Sequence, residues 1–360
     1  FCVPPSMKKL VLLVLAIGAL AAGAVWWFAF SSNVGGTERH SVRIPEGTGF
    51  EAALDSLESA DALANRSSME LFGRLTGWAD QVKTGHYYIE PGMSNWAVLD
   101  KIRKGLQDPI RITIPPGSRP ERTARVLRNQ LGTDSTEVAR LLRDPAFAES
   151  LGTDVAHLHG QMLAETFDMY WTDDAETALR RIHERYDRFW TDARRAKADA
   201  LGLTPDEVVT LASLVEWEAR KPEERRRIAG LYLNRLLGRT AAGTMRLQAD
   251  PTVQFALMEE GGEPQMRRLF FSDYAFPSAY NTYLIDGLPP GPITNPSDGT
   301  VEAVLDNESH DFLFFVADGT GGHDFSRTVA EHNAKAARWS QYLQEQTRIR
   351  RQREAAEASP

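Results

Sequence analysis

Cysteine is all but missing from this 360-residue chain: its single cysteine, Cys2, lies upstream of the first methionine, Met7. Read from Met7, the chain has no disulfide, no thiol nucleophile and no cysteine metal ligand, and it tolerates an oxidising compartment. Positive charge is also in short supply. The formal net charge of −8 excludes a global basic field of the kind that gathers nucleic acid. Histidines are few, and His323 and His332 stand nine apart with no ligand-spaced partner, so neither a metal nor any other cofactor is expected. No internal repeat is visible. Long apolar runs are absent except for one, the uncharged stretch from Leu10 to Phe30.

That stretch follows Lys8-Lys9 and ends in Trp26-Trp27-Phe28, the arrangement of a membrane-spanning helix with a cytoplasmic N-terminus and an aromatic outer girdle. Ala19-Leu-Ala-Ala-Gly-Ala24 also offers small residues to a signal peptidase, but apolar character continues past it, which favours an uncleaved anchor. Either way residues 31–360 lie outside the cytoplasm. Residues 1–6 read as upstream read-through, 7–30 as the anchor and 31–40 as a flexible linker.

The remainder reads as α+β. Residues 41–115 alternate Ser41–Pro45, Gly85–Glu90 and Arg111–Ile114 as strands with helices over Phe50–Ser59, Ser68–Thr76 (capped by Ser67 or Ser68) and Asn95–Gly105. Residues 116–345 form a larger mixed α/β domain, and 346–360 a charged tail. In the larger domain Arg119–Ser150 is helical, with Leu127, Leu131, Val138, Leu141 and Leu142 as a buried stripe. His159–Phe167 is a loop entering a strand, and Thr177–Ala200 one long charged helix. Residues 240–300 are loop-rich, Phe312–Ala317 is a buried strand, and Thr328–Arg351 is a closing helix.

Chemistry concentrates in Leu211-Ala-Ser-Leu-Val-Glu-Trp-Glu-Ala-Arg220. Its helix starts at the Thr204 cap with Pro205 in the first turn. Val208, Leu211, Ala212, Val215 and Ala219 mark the core face, and Glu216 lies at its margin, about 100° from Val215. A carboxylate desolvated there is a candidate general acid; the competing reading is a surface ion pair with Arg220. Glu218 points elsewhere, so the two acids do not converge as a two-carboxylate glycosidase requires. Downstream, Arg246–Thr252, Ala279–Tyr283, Gly287–Ile293 and Asn295-Pro296 set Gln, Asn, Thr and Tyr among rigid turns, equipment for holding a polar uncharged polymer.

Leu211–Glu218, Asn234-Arg-Leu236, Met245–Val253, Ala279–Tyr283, Gly287–Ile293 and Phe315–His323, in that order, resemble the endolytic murein transglycosylases of the MltG (YceG-like) family. The small module resembles that family's LysM-like domain. Two positions depart: Leu163-Ala-Glu-Thr-Phe167 lacks a proline usual there, and Trp217 stands where lysine is common. The resemblance implies a lyase that cuts MurNAc-β-1,4-GlcNAc bonds in nascent peptidoglycan. It leaves 1,6-anhydro-MurNAc ends and limits strand length from the periplasmic face of the bacterial inner membrane, in company with synthases. It puts Glu216 as catalytic acid and then base, one residue sufficing because the nucleophile is the sugar's own 6-hydroxyl. Glu218, Gln248, Asp250, Tyr280, Asn281, Thr282, Tyr283 and Asn295 would line the loop-rich groove. The rival readings are a peptidoglycan-binding scaffold without catalysis and a lysozyme-type hydrolase. An enzyme of chorismate metabolism fits poorly with the anchor.

Overall fold

The structure, a computed structural model, describes residues 5–263 and 265–357. The first four residues of the expected read-through segment lie outside them. The chain divides into two compact units, one built chiefly from the sequence up to Ile112 and one from Thr113 onward.

The first unit opens with α1 (Pro5–Phe30). Its Leu13–Phe30 stretch has a mean hydropathy of 2.1, so the helix is long and apolar enough to cross a membrane. Next come β1 (His40–Ile44), α2 (Phe50–Ser59), α3 (Arg66–Thr76), β2 (Gly85–Ile89), α4 (Asn95–Arg103) and β3 (Ile110–Thr113). β1 and β2 pair antiparallel, His40 opposite Ile89 and Ile44 opposite Gly85. Period-two alternation sends Val42, Ile44, Tyr87 and Ile89 inward onto Leu54, Leu57, Met69, Val98 and Ile102 of the helices. The cap of α3 is Asn65, whose side chain accepts from Ser68 N, rather than Ser67 or Ser68.

The stretch read as a flexible linker begins as packed structure. Asn33 is buried and its amide donates to Asn95 Oδ1 (2.7 Å) and Asn65 O (2.9 Å), while Val34 joins the core. Ser, Asn and Gly are loop formers, but here the loop's polar groups are consumed by the starts of α3 and α4 and by the turn at Met93.

The second unit contains α5 (Pro120–Leu131), α6 (Ser135–Leu141), α7 (Pro145–Ser150), α8 (Val155–Gln161) and β4 (Thr166–Met169). It continues with α9 (Ala175–Phe189), α10 (Asp192–Leu201), α11 (Pro205–Glu218), α12 (Arg225–Leu237), α13 (Asp250–Glu259) and α14 (Asp298–Leu305). It closes with β5 (Phe314–Ala317), β6 (His323–Ser326) and α15 (Val329–Glu357). Leu127, Leu131, Val138, Leu141 and Leu142 are all buried, as their spacing predicts. His159 is in α8, begun by the Asp154 cap, and not in a loop. The long charged helix is two helices, divided where Thr191 caps α10. Residues 240–300 hold one complete α-helix, α13, and the start of α14, inside the region that reads as loop.

At the centre lies α11. Eight consecutive residues, Val208–Val215, are buried, because α8, α12, α13 and α14 pack around it. A helix apolar on all sides is a core helix, not an amphipathic one. Ser213 Oγ accepts from Ile293 N (3.0 Å), which fixes the Gly287–Ile293 segment against the helix. β5 and β6 form an antiparallel hairpin, Phe314 opposite Ser326 and Ala317 opposite His323, and α15 packs on it.

Candidate active site

Thr204 opens α11 with a full capping box: its hydroxyl accepts from Glu207 N and the Glu207 carboxylate accepts from Thr204 N. Pro205 sits in the first turn, where its missing N–H costs nothing. The helix ends at Glu218, and Ala219 is already extended at φ −81°, ψ 93°. Arg220 is therefore off the helical register, and the i,i+4 pair with Glu216 does not form.

Glu216 is instead held by the unit's interior. Its Oε1 accepts from Arg225 Nη2 (2.9 Å), and Oε2 accepts from Ser297 N (2.9 Å), Ser297 Oγ (2.7 Å) and the Thr300 hydroxyl. Its side chain is 6% exposed. Four donors saturate this carboxylate. It fastens α11 to the start of α12 and the first turn of α14.

Glu218 has the opposite surroundings. It lines a cavity of about 510 Å³ walled by Arg235, Gln248, Asp250, Tyr283 and β5. It also lines a neighbouring cavity of about 430 Å³, with Asp250, Ala317 and His323 common to both. The two cavities adjoin at Glu218, and we refer to them together as the groove. Burial, reinforced by the Asp250 charge, pushes the Glu218 carboxyl up to about 7. Opposing this, the Tyr232 hydroxyl donates to Glu218 Oε1 at 3.4 Å and Arg235 contributes positive charge. Glu218 is also the last residue of α11, where the negative end of the helix dipole favours the neutral acid.

The supporting residues are locked. Arg235 of α12 is buried and donates through Nε to Leu313 O (2.7 Å) and through Nη1 to Leu247 O, so it ties the start of β5 to the Gln248 segment. Gln248 itself has φ +50°, a left-handed conformation rare for a side-chain-bearing residue. Its N–H is held by Thr282 O (3.1 Å). Asp250 accepts from the Tyr283 hydroxyl (2.7 Å) and the Tyr274 hydroxyl (3.4 Å). Burial and the Asp250 charge push Tyr283 well above the ordinary phenol range.

Of the residues expected in the groove, Glu218, Gln248, Asp250 and Tyr283 converge on it. The others do not. Asn281 is fully buried; its amide donates to Tyr274 O and Phe276 O, and its Oδ1 accepts from Tyr283 N (3.0 Å). Thr282 accepts from Ala249 N (2.9 Å) and exchanges a hydrogen bond with Thr252. Tyr280 packs on Phe255, ring centroids 4.7 Å apart. Asn295, also fully buried, accepts from Ser118 N (2.7 Å) and donates to Met162 O (3.1 Å) and Pro115 O (3.3 Å). These four brace the loops on which the groove residues stand. The non-convergence of Glu216 and Glu218 holds, but a different second carboxylate, Asp250, shares the groove with Glu218.

Sequence reasoning did not single out Tyr232, Arg235 or the β5 wall as site residues. Arg235 lies within the quoted Asn234-Arg-Leu236 triplet, which was the available signal. β5 is half-exposed rather than buried because all four of its residues border the cavity. Among the described residues no group of three or more His, Cys, Asp or Glu is placed to hold a metal ion.

Comparison with known proteins identifies relatives of the chain. The model of the YceG-like family matches residues 42–338. An endolytic murein transglycosylase of Bacillus subtilis (strain 168) is 25% identical over 308 residues, covering 81% of this chain and 82% of that protein. One from Streptococcus pneumoniae serotype 2 is 27% identical over 326 residues, and there the match spans 58% of the relative's length. The crystal structure of a yceG-like protein from Listeria monocytogenes aligns with a TM-score of 0.54 at 28% identity, over 83% of this chain and 99% of that one.

Proposed function

This chain belongs to the YceG-like family, and we infer from that membership and from its relatives that it cleaves peptidoglycan glycan strands as an endolytic murein transglycosylase. The observation that carries the mechanism is the Glu218 carboxyl, raised to about 7 at the junction of two cavities. We assign the catalytic role to Glu218 and a fastening role to Glu216. A strand lying along the groove brings one MurNAc-β-1,4-GlcNAc linkage over Glu218, with sugars extending to both sides, as an internal cut requires.

Protonated Glu218 gives its proton to the glycosidic oxygen as the bond to the muramoyl anomeric carbon breaks. Positive charge develops on the muramoyl ring, and the Asp250 carboxylate beside it stabilises that charge. The Glu218 carboxylate then takes the proton of the muramoyl 6-hydroxyl while that oxygen closes onto the anomeric carbon. A 1,6-anhydro end results, and Glu218 is reprotonated. The nucleophile is already part of the sugar, so no water need be positioned.

Asp250 in the same groove supports a second reading, a two-carboxylate hydrolase of lysozyme type. Mass spectrometry of products from purified sacculi separates the two. Anhydro-muramoyl ends are expected; reducing muramoyl ends in their place would establish hydrolysis.

For the first unit, the order β1-α2-α3-β2 supports a LysM-like, glycan-holding module over 41–115. The apolar stretch of α1, with Lys8 and Lys9 ahead of it, supports anchoring in the inner membrane with the catalytic unit on the periplasmic side. Anchored so, the enzyme meets nascent strands beside their synthases and limits their length.

A further inference from the structure

The smaller cavity has a composition of its own. Beyond Glu218 it is lined by two tryptophans, Trp217 and Trp339, and by Arg220. Trp217 is anchored by the core helix α11, whereas Trp339 comes from α15. Trp339 is held in place on two sides. It stacks on Tyr342 (centroids 5.4 Å apart, planes 19° apart), and it lies over Gly319, where a Cβ would come within 3.0 Å of the indole. The turn carrying Gly319 is itself tied to the end of α11, because Lys221 Nζ donates to Thr320 Oγ1 (2.8 Å). Pre-set aromatic faces offer area at little entropic cost, and they suit the apolar C–H faces of a pyranose ring.

Arg220 is different from its neighbour Lys221. Its guanidinium is exposed to the cavity and makes no hydrogen bond or ion pair among the described residues. A cation left unpartnered beside an aromatic sugar platform is suited to an anion that arrives with the sugar. Peptidoglycan supplies one: the peptide stem on the muramoyl lactyl group carries carboxylates, whereas GlcNAc carries none.

We propose that the cavity lined by Trp217, Trp339 and Arg220 is a subsite for peptide-bearing muramoyl units, in which the tryptophans hold the sugar ring and Arg220 holds a stem-peptide carboxylate. The subsite rests on the glycan-cleaving reading above and makes the enzyme selective for strands that still carry their peptides.

The test uses the full chain in detergent with two substrates, uncross-linked peptide-bearing strands and the same strands with every stem-peptide carboxylate capped as its methylamide. Arg220→Gln is expected to raise KM on peptide-bearing strands about tenfold, the worth of one charge-assisted hydrogen bond, with KM on capped strands and kcat unchanged. Trp217→Ala raises KM on both substrates, and Trp217→Phe restores most of the loss. If Arg220→Gln alters neither KM, or raises both alike, the subsite is wrong while glycan cleavage stands. If the unaltered enzyme releases no product from either substrate, the glycan-cleaving reading fails and the subsite fails with it.

Discussion

Glu216 and Glu218, two residues apart at the end of one helix, occupy opposite environments: four donors saturate Glu216, and Glu218 faces a groove with a carboxyl raised to about 7. The division follows from where α11 stops. Glu216 meets α12 and α14, and the last two residues, Trp217 and Glu218, meet the groove.

Removing Glu216 therefore damages the fold rather than the chemistry. Glu216→Ala leaves Arg225, Ser297 and Thr300 without their shared acceptor in the interior. A loss of about 3 kcal/mol is expected, since breaking a buried charge pair strands its partner. Calorimetry checks this as a fall in Tm of roughly 5–10 °C.

Asp250, after burial, helps set the pH range. Its charge raises the Glu218 carboxyl, so Asp250→Asn lowers it. Glu218 must start protonated, and kcat/KM falls as pH rises through about 7. In Asp250→Asn this basic limb moves to lower pH, and the plateau below it falls by roughly tenfold or more because the charge that stabilises the muramoyl ring is lost, both read from a pH–rate profile. The stability sign runs the same way. The folded state holds the Glu218 proton more tightly than the unfolded one, so stability from this group is full below the ordinary glutamate range and declines as pH rises toward 7.

Asn295 distinguishes bracing from binding. It is fully buried and makes three hydrogen bonds to Ser118, Met162 and Pro115. Asn295→Ala is expected to cost about 3 kcal/mol, lowering Tm while leaving KM of the folded fraction unchanged. A groove residue would show the reverse in steady-state kinetics and thermal melts.

These cases mark what could be read from the residues alone. The start of α11 was legible because Thr204, Pro205 and Glu207 act within one turn of each other. The different surroundings of Glu216 and Glu218 were not, because those of Glu216 depend on Ser297 and Thr300, more than 80 positions away. Asn281, Thr282 and Asn295 have the same chemistry whether they hold a ligand or a loop, and only burial separates the two. α13 was hidden because Pro251 reads as a breaker, although in a first turn it starts a helix. The polar 31–36 stretch looked flexible because the acceptors that order it lie in α3 and α4.

The most direct measurement is release of 1,6-anhydro muropeptides from purified sacculi by the full chain carrying Glu218→Gln, followed by mass spectrometry. Glutamine removes the transferable proton and relieves the buried charge, so Tm at pH 8 should hold or rise while release falls at least about 100-fold. Continued release at the parent rate by a folded Glu218→Gln protein would contradict the assignment of Glu218 as the catalytic acid.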